Sequence, residues 1–284
     1  LAARFGVTIV QWGVPVQRAA LDSGLAVWTL PHTALPVVTL ALVVPFGSRH
    51  DPADHPGLAG VVADMLDEGA GDRDAIGLAA ALAALGTELS VDVGPDVTTI
   101  SLTVLSRFFE PAVDILFDVV ARPRFEEADF LRVVEMRINR LRQLRSSASA
   151  IADRVLLRGV FGGHPYGHST LGTTAALEAL SIDHVRKGHA RMVSPAGATC
   201  IVAGEVEAGV VHDVVAKHAA RWVVPGGKVK AVAPTLVQPQ PPRVYLVHRP
   251  GSPQTEVRVG HQGPSRHVDA YHALVTLNAV LGGQ

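Results

Sequence analysis

The sequence holds a single cysteine, Cys200, among 284 residues. One thiol excludes an intrachain disulfide and any metal site built from several cysteines. It sits in the strand-like run Ala198-Thr199-Cys200-Ile201-Val202-Ala203 and reads as a buried structural thiol. Lysine is scarce, at Lys187, Lys217, Lys228 and Lys230 only, so the basic residues are nearly all arginine. The formal net charge is −1, without the surplus that draws nucleic acid or an anionic membrane. No apolar run approaches the roughly 18 residues needed to span a bilayer. The longest, Val37 to Phe46, is strand-length and interrupted by Pro45. A Gly-x-Ser-x-Gly elbow, a phosphate loop and a dinucleotide fingerprint are all missing.

What is present is a chain of 48% hydrophobic residues, enough for a sizeable core. The stretch His55-Pro56-Gly57-Leu58-Ala59-Gly60-Val61-Val62-Ala63-Asp64-Met65-Leu66-Asp67-Glu68-Gly69 reads as a loop, a helix and a glycine stop. Leu25 to Leu30 and Val37 to Val44 before it read as strands joined by a turn at Pro31 to Ala34. Asp74 to Leu85 reads as a helix stopped by Gly86. Glu88 to Val93 and Thr98 to Leu105 alternate around Gly94-Pro95-Asp96 and predict an antiparallel hairpin. Helices are predicted over Glu110 to Ala121, Glu126 to Arg145, Ser149 to Val160, Ser181 to Met192 and Ala208 to Trp222. In the second of these, Phe130, Val133, Val134, Ile138 and Leu141 form an apolar stripe.

Composition then shifts. Pro225, Pro234, Pro239, Pro241 and Pro242 with Gly226-Gly227 mark a linker. The expected organisation is a leader or tether over 1–14, an α+β domain over 15–224, a Pro-rich linker over 225–242, and a second domain beginning at 243–284. That second domain opens as the first does. Val27 to His50 aligns with Val244 to His267 at one offset without a gap, with five identities in 24 positions. Val27 matches Val244, Pro36 matches Pro253, and Ser48-Arg49-His50 matches Ser265-Arg266-His267. The pattern of strand, turn, strand, Ser-Arg-His loop and helix repeats, with the second helix over Tyr271 to Leu281. The chain stops at Leu281-Gly282-Gly283-Gln284, as that helix ends, and so reads as a fragment whose second copy is incomplete.

The strand, the Gly-Ser-Arg loop, Pro56-Gly57-Leu58-Ala59 and the helix together resemble the insulinase/pitrilysin-type zinc peptidases, the group that includes mitochondrial processing peptidase. The resemblance runs on through Met65-Leu66-Asp67-Glu68-Gly69, Gly86-Thr87, Pro123-Arg124-Phe125, Gly163-His164-Pro165-Tyr166-Gly167, Leu171-Gly172-Thr173 and Gly260-His261-Gln262-Gly263. It implies an α+β fold: an antiparallel sheet with helices on one face, duplicated, the second copy truncated here. Two such halves form a clamshell around an extended peptide. Active members carry His-x-x-Glu-His on the first helix, two zinc ligands and a general base. Matched residue by residue, those positions fall here on Gly60, Ala63 and Asp64. A third ligand, a glutamate, falls on Arg140.

Every functional position is therefore degenerate, and no catalytic or metal-binding residue is assigned to this chain. The resemblance then implies a catalytically silent subunit. Its partner would be a zinc-peptidase chain bearing an intact His-x-x-Glu-His, with zinc in that partner and a peptide as substrate. The alternative is a structural or assembly protein of the same fold, as the core subunits of respiratory complexes resemble. Other histidine groupings do not rebuild a site. His50, Asp51, Asp54 and His55 share a loop that reads as solvated, and His164 and His168 are separated by Pro165 and Gly167. His184 and His189 are five apart, which places them on different helix faces.

Overall fold

The computed structural model describes residues 15–223, 241–252 and 254–281. The expected leader and most of the expected linker lie outside them. Alternation makes the strands. Val37–Val44 (β3) and Thr98–Leu105 (β7) bury every second side chain, and both are rich in β-branched residues suited to a half-buried pleat. Together with Gln17–Ala20 (β1), Ala26–Pro31 (β2), Ser90–Val93 (β6) and Thr199–Gly204 (β8) they form one six-stranded sheet in the order β1-β2-β8-β3-β7-β6. A separate two-stranded ribbon pairs Gly69–Ala70 (β4) with Arg73–Asp74 (β5).

The sheet is antiparallel except at one junction. β8 runs parallel to β2 and antiparallel to β3, so it separates two strands that follow one another in the chain. The β6–β7 hairpin predicted around Gly94-Pro95-Asp96 is present, in the register Ser90↔Ser101 to Val93↔Thr98. β1 had no sequence signal: all four of its residues are exposed, so no apolar period marks it.

Helices cover the apolar face. They are Leu58–Asp64 (α1), Ala75–Ala84 (α2), Phe109–Ala121 (α3), Glu127–Leu144 (α4), Ala148–Phe161 (α5), Thr174–Glu178 (α6), Ile182–Met192 (α7) and Ala208–Ala219 (α8). Short polar side chains start several of them: Asp74 accepts from Gly77 N at 2.7 Å, and Ser181 and His184 close a reciprocal box at the start of α7. Between sheet and helices lie Leu40, Leu42, Phe46, Val61, Val62, Met65, Leu66, Ile100, Leu116 and Phe117, all fully or almost fully buried. Each large side chain of this kind contributes roughly 1.5–3 kcal/mol. Cys200 is buried in β8, and its surroundings push the thiol up to about 12.

α7 lies across α1, and Gly188 brings it close enough to touch Val62 and Leu58. One residue on, His189 donates from Nε2 to the Val120 carbonyl at 3.0 Å and meets Phe125 edge-on. Burial holds this imidazole neutral, lowering its pKa from 6.5 to about 4. The unfolded chain binds this proton first as pH falls, so the stability tied to His189 is complete above about 6.5. It is then lost as pH drops to about 4, by at most about 3 kcal/mol. In His189→Gln the amide keeps a donor for Val120 but cannot titrate. The expected result is a smaller fall in melting temperature between pH 7 and pH 4.5 than in wild type, read by circular dichroism. Equal falls in both proteins would remove His189 as a source of acid sensitivity.

Of the elements expected for a second copy, the described residues contain one. Its helix, Tyr271–Val280 (α9), is present. Its expected strands are not: described residues between 241 and 270 form no strand, and Val244, Leu246 and Val259 are exposed. The pairing of the first copy gives the reason. β2 bonds to β1 and β8, and β3 to β7 and β8, never to each other, and among the described residues 241–281 contain no counterpart of β7 or β8. Instead the segment runs beside α5, with Arg258 Nε 2.7 Å from Asp153 and Arg258 Nη2 2.7 Å from Ser149 Oγ. No helix among the described residues is long and apolar enough to cross a membrane.

Candidate functional site

The site is built around the start of α1. Gly57 precedes it with φ 102°, a region L side chains rarely enter, and a methyl there would approach Gly172 Cα to 2.8 Å. Gly57 has no side chain to cap the helix, and Asp51 supplies the acceptor from six residues back. Its carboxylate takes Gly57 N–H at 2.7 Å and Ala59 N–H at 2.6 Å. It also accepts from His168 Nε2 at 3.0 Å, and the Asp51 side chain is wholly buried. Of the loop groupings weighed from sequence, the fold brings together only parts. Asp51 meets His168, and His55 meets His184 as a ring contact at 4.4 Å between centroids. His184 and His189 diverge, toward Ser181 and Val120 respectively. Among the described residues no three His, Cys, Asp or Glu side chains are grouped so as to hold a metal ion.

The same loop fixes the sheet edge beside α1. Ser48 N–H donates to the Gly94 carbonyl at 3.1 Å and Arg49 N–H to the Pro95 carbonyl at 3.0 Å. Arg49 pairs with Asp96 at 3.1 Å, and the Tyr166 hydroxyl donates to Asp96 at 2.6 Å. Desolvation and the Asp96 charge raise the Tyr166 phenol above its ordinary range. The turn of the β6–β7 hairpin is thus clasped from two sides. On its outer side β6 has no strand partner among the described residues.

Gly60, Ala63 and Asp64 lie on α1, Gly60 and Ala63 buried and the Asp64 side chain 43% exposed. Two of the three carry no donor atom. The third is ion-paired, and its partner corrects the expectation made from sequence. Arg137, not Arg140, reaches this place. Its Nη1 bonds Asp64, and its Nη2 donates to the Thr170 carbonyl at 2.6 Å. The Arg137 side chain is 9% exposed, whereas Arg140, three residues further along α4, is exposed. The space beside Gly60 is filled: an added Cβ would overlap the Arg137 guanidinium and lie 2.5 Å from the Thr170 carbonyl oxygen.

Sequence reasoning counted back from the His164-Pro165-Tyr166-Gly167 loop and missed Arg137. A signal was there. Phe130, Val133, Arg137, Ile138 and Leu141 share the buried side of α4, so an arginine interrupts an apolar stripe. A charge at such a position needs a partner. Asp51 carried no comparable signal, since its partners are set by how two loops meet.

A mostly antiparallel sheet with helices on one face, and the short helix α1 tied to the long helix α4 through Asp64 and Arg137, define a two-layer α+β domain. Residues 28–174 match the model of the insulinase family, Peptidase family M16, and residues 179–284 match the Peptidase M16 inactive domain. The chain belongs to the insulinase family. It is similar to an uncharacterized zinc protease of Mycobacterium leprae, with 28% identity, covering 94% of this chain and 60% of that protein. The chain thus spans about 60% of the length of the curated relatives it matches. It is also similar to the non-peptidase homolog YmxG of Helicobacter pylori, with 22% identity over 61% of this chain and 40% of the other. Among solved structures, the peptidase M16 inactive domain from Pseudomonas fluorescens superposes with a TM-score of 0.72 at 22% identity. It covers 78% of this chain and 54% of its own, and shares the fold.

Proposed function

We propose that this chain is a catalytically silent member of the insulinase family. It forms one wall of a peptide-binding chamber, and the zinc chemistry belongs to a partner chain bearing His-x-x-Glu-His. The observation that carries this reading is the state of the ligand positions. Gly60 and Ala63 offer no donor, and the one carboxylate, Asp64, is already paired with Arg137. Zinc needs at least three protein donors in a catalytic site, and a general base beside it. This residue set does not fit the ion. The relative named as a non-peptidase homolog supports the same direction.

The part of the fold that would meet a peptide does not depend on those positions. β6 ends the sheet next to α1, with one side of its backbone paired to β7 and the other without a strand partner among the described residues, and its turn is clasped by Arg49 and Tyr166. An extended peptide would add there as a further strand, bound by main-chain hydrogen bonds.

Co-expression with an insulinase-family chain carrying His-x-x-Glu-His from the same genome tests the reading. The expected result is a complex containing both chains, with chelator-sensitive peptidase activity that neither shows alone. Peptidase activity of this chain by itself, abolished by a chelator, would overturn it. Recovery of this chain in an assembly lacking any peptidase would replace it with the assembly role.

A further inference from the structure

We infer that the guanidinium of Arg137 is a resident cation that holds together three separate pieces of this chain at the positions to which the family resemblance assigns metal ligands. Three pieces of backbone meet at this group. α4 supplies it, α1 supplies Asp64, and the segment before α6 supplies the Thr170 carbonyl. Both acceptors take charge-assisted bonds, the stronger class of hydrogen bond. Nε of Arg137 is buried without a hydrogen-bond partner. An orphaned buried donor is costly, so the other two nitrogens must more than offset it. The delocalised fork of arginine suits the task because it reaches a carboxylate and a carbonyl in different directions at once, which an ammonium on a single carbon does less well.

Gly60 belongs to the same device. Its missing side chain leaves the volume that the guanidinium and the Thr170 carbonyl occupy. A histidine at this position would collide with a movable side chain and with fixed backbone. The site is therefore closed in two ways: its ligands are absent, and the space they would need is filled. The inference concerns this chain alone and stands apart from the partner proposed above, so failure to find that partner leaves it untouched.

Chemical rescue tests it. In Arg137→Ala the cation is removed and a cavity of its shape remains. The expected melting temperature is lower than wild type by roughly 4–12 °C, from the lost packing of a buried side chain and the Thr170 carbonyl left unpaired, while Asp64, 43% exposed, regains water. Millimolar guanidinium chloride, against equal sodium chloride, should recover part of that loss and leave wild type unchanged. A variant that folds only when guanidinium is present supports the inference equally. If it folds under neither condition, Arg137→Lys decides. A lowered melting temperature supports the inference, and a wild-type value overturns it. It is overturned as well if Arg137→Ala melts as wild type does, or if guanidinium acts no better than sodium. One tightly bound zinc per wild-type chain in equilibrium dialysis would also overturn it.

Discussion

Asp118→Ala is expected to lower the melting temperature by roughly 6–12 °C, corresponding to about 3 kcal/mol. Asp118 lies in α3 with its side chain 3% exposed, and three arginines from separate parts of the chain converge on it. Arg122 donates from Nη2 at 2.8 Å, Arg73 donates from Nη1 at 3.2 Å, and Arg221, just past α8, bonds it through Nη1. Alanine would leave three guanidinium groups without the carboxylate they share. The arginines remain partly exposed and can regain some water, which keeps the cost at the low end for a broken buried pair. Asp114, one turn earlier, pairs with Arg221 at 2.7 Å but is 32% exposed, so Asp114→Ala should shift the melt much less. Differential scanning calorimetry of both variants checks the ranking. A larger loss from Asp114→Ala would show that the network is centred elsewhere.

Asp51→Ala should cost about 2–4 kcal/mol, since one carboxylate serves three donors and two of them are backbone amides at a helix start. The Gly57 and Ala59 N–H groups would both be orphaned, and His168 would lose its partner. The distinguishing readout is local. Amide hydrogen exchange should accelerate at residues 57–60 and 166–172 well before the sheet opens. Asp51→Asn keeps an acceptor for one amide but turns a donor toward another group, and should fall between alanine and wild type. Exchange unchanged at Gly57 and Ala59 would mean that α1 is held by its packing alone.

The elements that local chemistry dictates were legible from the residues. Alternation marked β6 and β7, an apolar run of strand length marked β3, the glycine and proline signals bracketed α1, and Ser181 marked the start of α7. The family pattern led to Gly60, Ala63 and Asp64 because those positions are counted along one helix. Arg140 was misplaced for a physical reason. Counting residues along α4 locates a turn, but which arginine on adjacent turns reaches inward depends on the roll of the helix and the length of the arm. Asp51 with His168, and Asp118 with Arg221, join segments separated by 117 and 103 residues, and no spacing rule anticipates such pairs. Strand order was hidden likewise, since burial alternation says which face of a strand is apolar and nothing about its neighbours.

The position of β8 sets the order in which the molecule can be made. β2 and β3 are made long before the strand that bonds to both, which is completed only at Gly204. Until then the inner edges of β2 and β3 lack their shared partner, although the helices that precede β8 can already cover the apolar face of β3. Closing a loop of this length before any sheet contact rewards it slows folding and prolongs exposure of sticky edges. Synthesis of this chain therefore passes through a long interval in which half the sheet waits for its centre.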